Sequence, residues 1–113
     1  MQPDGSALTA LADPTRRAIF EHLGAHPSAV GELAEHLPVS RPAVSQHLKV
    51  LKEAGLVLEQ RDGTRHVFRL NPEGIAEARD YLERFWTVSL ASFKHKVESN
   101  PPKKRASKRK ERP

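Results

Sequence analysis

The stretch P-V-S-R-P-A-V-S-Q-H-L-K-V-L-K-E-A-G, Pro38 to Gly55, decides the fold. Ser40 is placed to N-cap a helix, its hydroxyl accepting from a free N–H of the first turn. Pro42 falls in that turn, where a missing N–H costs little. Gly55 follows the last periodic residue and suits a left-handed C-cap. Val44, Leu48 and Leu51 keep the i, i+4, i+7 spacing of one buried face. Opposite them, Pro42, Ser45, Gln46 and Lys49 gather within about a third of the wheel at roughly 100° per residue. Hydroxyls and amides match base edges, and lysine matches phosphate or guanine. The stretch therefore reads as a helix that lies in a DNA groove. An ordinary amphipathic helix with a solvated face shares the period, but more often carries Glu/Lys pairs.

Working upstream, Val30, Leu33, Ala34 and Leu37 form a second apolar stripe. Ser28 is expected to N-cap a helix from Ala29 to about Leu37, with Glu32 favouring its positive end. Pro38-Val39-Ser40 is then the tight turn of a helix-turn-helix. Asp13-Pro14 restarts the chain as N-cap and first helical residue. That helix is expected to run to about Leu23, with Ala18, Ile19, Phe20 and Leu23 inward and Gly24 ending it. Leu8, Leu11 and Ala12 give a first helix over Ser6 to Ala12, and residues 1–6 read as frayed.

Downstream, the period changes. Leu56–Arg61 and Thr64–Leu70 read as strands joined by Asp62-Gly63, a strong two-residue hairpin signal. A hairpin directly after such a helix is a wing. Arg61 and Arg65 flank its tip, where arginine reaches phosphates or a minor groove; the plainer reading is a solvated turn. Asn71-Pro72 opens a last helix to about Val97. Its stripe of Ile75, Ala78, Leu82, Phe85, Trp86, Ser89, Leu90, Phe93 and Val97 exceeds what a small domain buries alone. Leu8 and Leu11 add to that surplus. An isologous homodimer through the first and last helices is expected, with Leu8, Leu11, Leu82, Phe85, Trp86, Ser89 and Phe93 at the interface. The alternative is that the last helix packs only on its own domain. The fold class is mainly α with a small β-hairpin wing, a winged helix-turn-helix.

The 113 residues carry a net charge of +5, but 101–113 hold seven Lys/Arg and one Glu, so the remainder is nearly neutral. Residues 1–100 read as the DNA-binding and dimerisation domain and 101–113 as a disordered basic tail. The tail either adds nonspecific phosphate attraction or only solubilises. No cysteine means no disulfide, thiolate metal site or thiol switch. There is no long apolar span and no signal-peptide pattern, so a cytoplasmic, nucleoid-associated protein is expected. No nucleophile–base set, glycine-rich phosphate loop or paired acids suggests an enzyme.

Four blocks carry a family resemblance: L-A-D-P-T-R-R-A-I-F-E-H-L (Leu11–Leu23), V-G-E-L-A-E-H-L (Val30–Leu37), V-S-R-P-A-V-S-Q-H-L-K-V-L-K-E-A-G-L-V (Val39–Val57) and R-D-G-T-R-H-V-F-R-L (Arg61–Leu70). Over about residues 7–98 the chain resembles the ArsR/SmtB family of bacterial repressors, most closely its metal-independent branch. The resemblance implies a dimer on an inverted repeat near a promoter, often its own. It places base reading on Pro42, Ser45 and Gln46, with Lys49 and Arg65 near the backbone. Ser40, Arg41 and Arg61 complete the expected DNA-contacting set.

The departures concern metal. Where sensing members carry C-x-C, this chain has Ala29 and Gly31. The pattern D-x-H with H-x-x-E is half kept: His95 and Glu98 are present, but Asp80-Tyr81-Leu82 has no histidine. His22 and His26, at i and i+4, are a possible ligand pair without a visible third ligand. No metal site and no cofactor are therefore expected, and nothing identifies an inducer. Besides a DNA-binding repressor, two readings stay open: a metal- or ligand-responsive sensor on the same scaffold, and a protein-interaction winged helix without DNA readout. The Ser45, Gln46 and Lys49 face argues against the latter.

Overall fold

The computed structural model describes residues 5–99. Within them the order is α1 (Ser6–Ala10), α2 (Pro14–Ala25), α3 (Val30–His36), α4 (Arg41–Glu53), β1 (Val57–Asp62), β2 (Arg65–Leu70) and α5 (Pro72–Ser99). The basic tail expected at 101–113 lies outside the described residues, as do residues 1–4. Two compact units divide between Tyr81 and Leu82.

The first unit holds the core. Ile19 from α2, Leu33 from α3, and Val44, Leu48 and Leu51 from α4 are each at most 1% exposed, with Leu56 and Val57 beside them. Burying one such side chain is worth about 1.5–3 kcal/mol. The three α4 residues are the ones whose spacing marks the inward face. Ser40 Oγ accepts from the Ala43 N–H at 3.3 Å, capping α4 as expected. Gly55 has φ 82°, which closes α4 where a side chain would be strained.

Asp13 caps α2, accepting from the Arg16 N–H at 2.9 Å. That bond holds the Asp13 carboxyl below its ordinary pKa, partly offset by burial. Gly24 does not end α2. The helix continues to Ala25, and His26 is extended at φ −168° before Pro27. A proline disfavours helical backbone at the residue before it, so Pro27 is the terminator. α1 stops at Ala10, two residues early. Arg16 Nε donates to the Ala10 carbonyl at 2.7 Å, and Arg17 Nη1 donates to those of Leu11 and Ala12 at 3.0 and 3.3 Å. Two arginines thus close the turn between α1 and α2.

Ser28 does not cap α3. It is fully buried and exchanges two backbone hydrogen bonds with Phe68 on β2, at 3.0 and 2.8 Å. Its backbone is used as a one-residue strand, so α3 starts later. Ala29 takes the N-cap position, and its N–H is satisfied by Glu32 Oε1 at 2.7 Å.

The hairpin pairs β1 with β2 antiparallel, from Val57 opposite Leu70 to Asp62 opposite Arg65. The loop is therefore Gly63-Thr64, one residue beyond the expected Asp62-Gly63, with Gly63 at φ 68°. Asp62 is held in the ladder by its pairing with Arg65. Asn71 caps α5: its Oδ1 accepts from the Glu73 N–H at 3.2 Å, and its Nδ2 donates to the Gly55 carbonyl at 2.8 Å. A Cβ at Gly74 would overlap that same carbonyl oxygen, so only glycine permits the approach.

In the second unit, α5 continues to Ser99. Leu82, Phe85, Trp86, Val88, Leu90, Phe93 and Val97 are exposed there, Trp86 and Phe93 at 64% each.

Candidate nucleic-acid interface

The helix α3, the turn 37–40 and the longer α4 form a helix-turn-helix. α3 and α4 pack on each other, and α4 packs on α2 and β1. With Val44, Leu48 and Leu51 locked inward, the helical period forces Pro42, Ser45, Gln46 and Lys49 outward. All four are exposed, as are Ser40 and Arg41 at the helix start. The structure thus brings the expected α4 set onto one open face. It presents hydroxyl, amide and ammonium groups on a rigid helix, the chemistry that reads base edges and phosphates.

Arg41 folds toward the neighbouring helix. A Cβ at Gly31 would press on its guanidinium, so the small residue on α3 leaves room for this arginine. His47, half-buried on α4, is turned inward: its Nδ1 lies 3.5 Å from Arg16 Nη1. Arginine only donates, so His47 Nδ1 accepts.

The hairpin stands beside α4. A groove between them is lined by Ser45, Leu48, Lys49, Lys52, Glu59 and Phe68. Glu59 fixes the hairpin to the helix, accepting from Lys52 Nζ at 2.9 Å and contacting His66 Nδ1 at 2.7 Å. These two partners hold its carboxyl below the ordinary glutamate range. Arg61 and Arg65 are both exposed near the tip. Arg65 is engaged: its Nη2 donates to Glu32 Oε1 at 2.9 Å, tying the wing to the start of α3. From the sequence alone Glu32 is a favourable charge near that helix end. Its double use, as cap and as wing anchor, is a cross-chain contact with no local signal beyond its place in the first turn.

Away from this face, His22 on α2 has ring centroids 4.9 Å from His26 and 5.1 Å from His36 on α3. His22 Nε2 is buried without a hydrogen-bond partner. Burial, and then its two histidine neighbours, push the His22 pKa down.

Of the expected interface residues, Leu8 is exposed at 42%. Leu11 packs partly buried against its own core. Leu82, Phe85, Trp86, Ser89 and Phe93 are exposed on α5.

A helix-turn-helix followed at once by a two-stranded wing defines the winged helix-turn-helix class. Residues 11–60 match a helix-turn-helix domain family. The HTH-type transcriptional regulator Rv2034 of Mycobacterium tuberculosis is 58% identical over 93 residues, 82% of this chain and 87% of that one. The transcriptional repressor SdpR of Bacillus subtilis is 33% identical over 67% of this chain and 84% of its own. Among solved structures, an ArsR-like transcriptional regulator from Rhodococcus superposes with a TM-score of 0.70 at 34% identity, covering 80% and 89% of the two chains. A homodimeric winged helix-turn-helix DNA-binding domain from Mycobacterium bovis, a possible ArsR-family regulator, gives 0.56 at 27%, covering 80% and 79%. The chain belongs to the ArsR/SmtB family of transcriptional regulators, which are not enzymes. No described helix is long and apolar enough to cross a membrane.

Proposed function

We propose that this chain is a cytoplasmic transcriptional repressor that binds an inverted-repeat operator as a homodimer, its own promoter being the first candidate. The observation that carries this reading is the α4 face, where Pro42, Ser45, Gln46 and Lys49 are all exposed on a helix whose other side is locked in the core. Two such helices, related by a two-fold axis, enter successive major grooves about one helical turn apart. Ser45 and Gln46 read base edges, with Pro42 packed alongside. Ser40, Arg41, Lys49, Arg61 and Arg65 engage phosphates, and occupancy excludes polymerase. The dimer is built on the exposed apolar face of α5, with Leu82, Phe85, Trp86, Ser89 and Phe93, and on Leu8 and Leu11 of the N-terminal segment. That the similar Mycobacterium bovis domain is homodimeric supports dimerisation as such.

Repression is proposed to be independent of metal at the family's familiar positions, because Ala29 and Gly31 offer no ligand side chains and Asp80 lacks a partnering histidine two residues on. The test is fluorescence anisotropy on duplex DNA from upstream of the gene against a scrambled duplex near physiological salt. A preference of at least ~10³-fold, usual for specific binders, is expected. Equal binding to both duplexes across promoter fragments would overturn the reading.

A further inference from the structure

Gly31 is the second residue of α3. Its φ is not positive, so the backbone does not call for glycine there. Alanine is the better helix former, and glycine has more conformational freedom to lose. What the missing side chain supplies is room. A Cβ at Gly31 would lie 2.8 Å from Arg41 Nη2, 3.2 Å from its Cζ and 3.6 Å from Nη1. The guanidinium of Arg41, the first residue of α4, therefore rests on α3 in the place where a side chain would stand.

We propose that Gly31 is a positioning residue for DNA binding: its bare backbone seats the Arg41 guanidinium on α3, ready for one backbone phosphate, a role that presupposes α4 as the DNA-reading helix.

Arg41 is exposed, and no hydrogen bond or ion pair engages it among the described residues. Other arginines that lie against the fold find an acceptor. Arg16 has the Ala10 carbonyl, Arg17 those of Leu11 and Ala12, and Arg65 the Glu32 carboxylate. Arg41 is seated by shape instead, and its N–H fork stays open. That fork matches two oxygens of a phosphate. Holding it beforehand lowers the entropy lost when a long side chain is fixed on binding.

The seat selects phosphate over base. In helix-turn-helix docking the second helix enters the major groove and the first crosses the backbone. α3 is that first helix. A guanidinium laid on it meets the backbone, while Ser45 and Gln46, further along α4, meet base edges. The wing repeats the arrangement: Arg65 reaches from β2 to Glu32, the residue next to Gly31. The first turn of α3 thus seats two arginines, one from the recognition helix by space and one from the wing by charge.

The experiment is anisotropy of the full chain on operator and scrambled duplexes across a salt series, with Gly31→Ala, Arg41→Ala and the double variant, and thermal unfolding of each. Arg41→Ala should weaken both duplexes and lower the slope of log affinity against log salt by about one per bound protomer. Gly31→Ala should weaken both duplexes by a similar factor, at least about threefold. Added to Arg41→Ala it should change affinity by less than about twofold, because the seat then has no occupant. The Tm of Gly31→Ala should be no lower than the parent's, since the new Cβ meets only the movable end of a long side chain and alanine favours the helix. Unchanged affinity in Gly31→Ala, an equal loss with and without Arg41, a loss confined to the operator, or a loss accompanied by a fall in Tm would each overturn the positioning role. None of these touches the parent's preference for its operator over the scrambled duplex. A parent without that preference would overturn the DNA-binding reading, and the role of Gly31 with it.

Discussion

Arg65 at the wing tip donates to Glu32 at the start of α3, Nη2 to Oε1 at 2.9 Å, joining residues 33 positions apart. The same carboxylate oxygen caps the Ala29 N–H at 2.7 Å. The wing arginine is therefore held by a glutamate, and in the proposed DNA-binding role a phosphate would have to take it over. Arg65 is also among the forces that lower the Glu32 pKa, after the Ala29 N–H. Glu32→Gln keeps an oxygen to cap Ala29 but weakens the hold on Arg65. Affinity for specific and random duplexes alike should rise, by no more than about fivefold for an exposed pair. Unchanged or weaker binding in anisotropy would show that the pair positions Arg65 for DNA rather than restraining it.

Gln46 tests the base-reading role of α4. Its exposed amide can pair bidentately with adenine, and truncation to alanine should cost roughly 1–3 kcal/mol on the operator. Random DNA should be bound as before. Equal losses on both duplexes would assign Gln46 to the backbone instead.

Gly74 and Gly55 set how closely the start of α5 approaches the end of α4. A Cβ at Gly74 would overlap the Gly55 carbonyl oxygen, which also accepts from Asn71 Nδ2. Gly74→Ala must therefore displace backbone rather than a flexible side chain. A loss of about 3 kcal/mol is expected, read as a fall in Tm of roughly 10–20 °C. A Tm within about 2 °C of the parent would mean that the helix start shifts at little cost.

What could be read in the chain was what is local. The α4 caps at Ser40 and Gly55, its inward Val44, Leu48 and Leu51, and the Asn71 cap depend on neighbours within a turn or two, and each stands as expected. Local signals are overridden where distant partners intervene. Ser28 has the chemistry of a cap, but Phe68 claims its backbone. Gly24 resembles a stop signal, yet Pro27 sets the end of α2. The His22 and His26 pair was visible at i and i+4, while His36 joins it only once α3 folds back beside α2. The outward face of α4 was legible because burial of the opposite face dictates it. The Glu32 and Arg65 pair was not, because exposed charges carry no periodic signal.

Glu59 makes stability depend on pH. Lys52 and His66 hold its folded pKa below the ordinary value of 4.5. A depressed carboxylate contributes stability that is present above the ordinary value and disappears as pH falls through the folded value. Glu59→Gln should therefore lower stability at neutral pH by under about 1 kcal/mol, since the partners are half exposed. The deficit should vanish below the folded pKa, where both proteins carry a neutral side chain. Urea unfolding from pH 7 down to pH 3 measures it. A deficit that persists at the acid end would place the contribution in packing instead of charge.

The apolar face of α5 supplies the last test. Leu82, Trp86, Ser89 and Phe93 recur at intervals of three and four, the spacing of one helix face. Trp86 and Phe93 are each 64% exposed in the single chain. Aromatic surface left in water at that density is the driving force for association, at about 25 cal/mol per Å² removed from solvent. Trp86→Glu places a charge in the centre of the stripe, where desolvation without a partner is costly. Because the side chain is exposed in the monomer, its own fold should be unaffected. Sedimentation equilibrium should find the parent dimeric at micromolar concentration and Trp86→Glu monomeric. Operator affinity should fall with it, since on the proposed inverted repeat a monomer would engage one half-site. A parent chain that sediments as a monomer would refute the α5 dimer. A Trp86→Glu dimer of unchanged strength would move the interface off this face, toward Leu8 and the N-terminal segment.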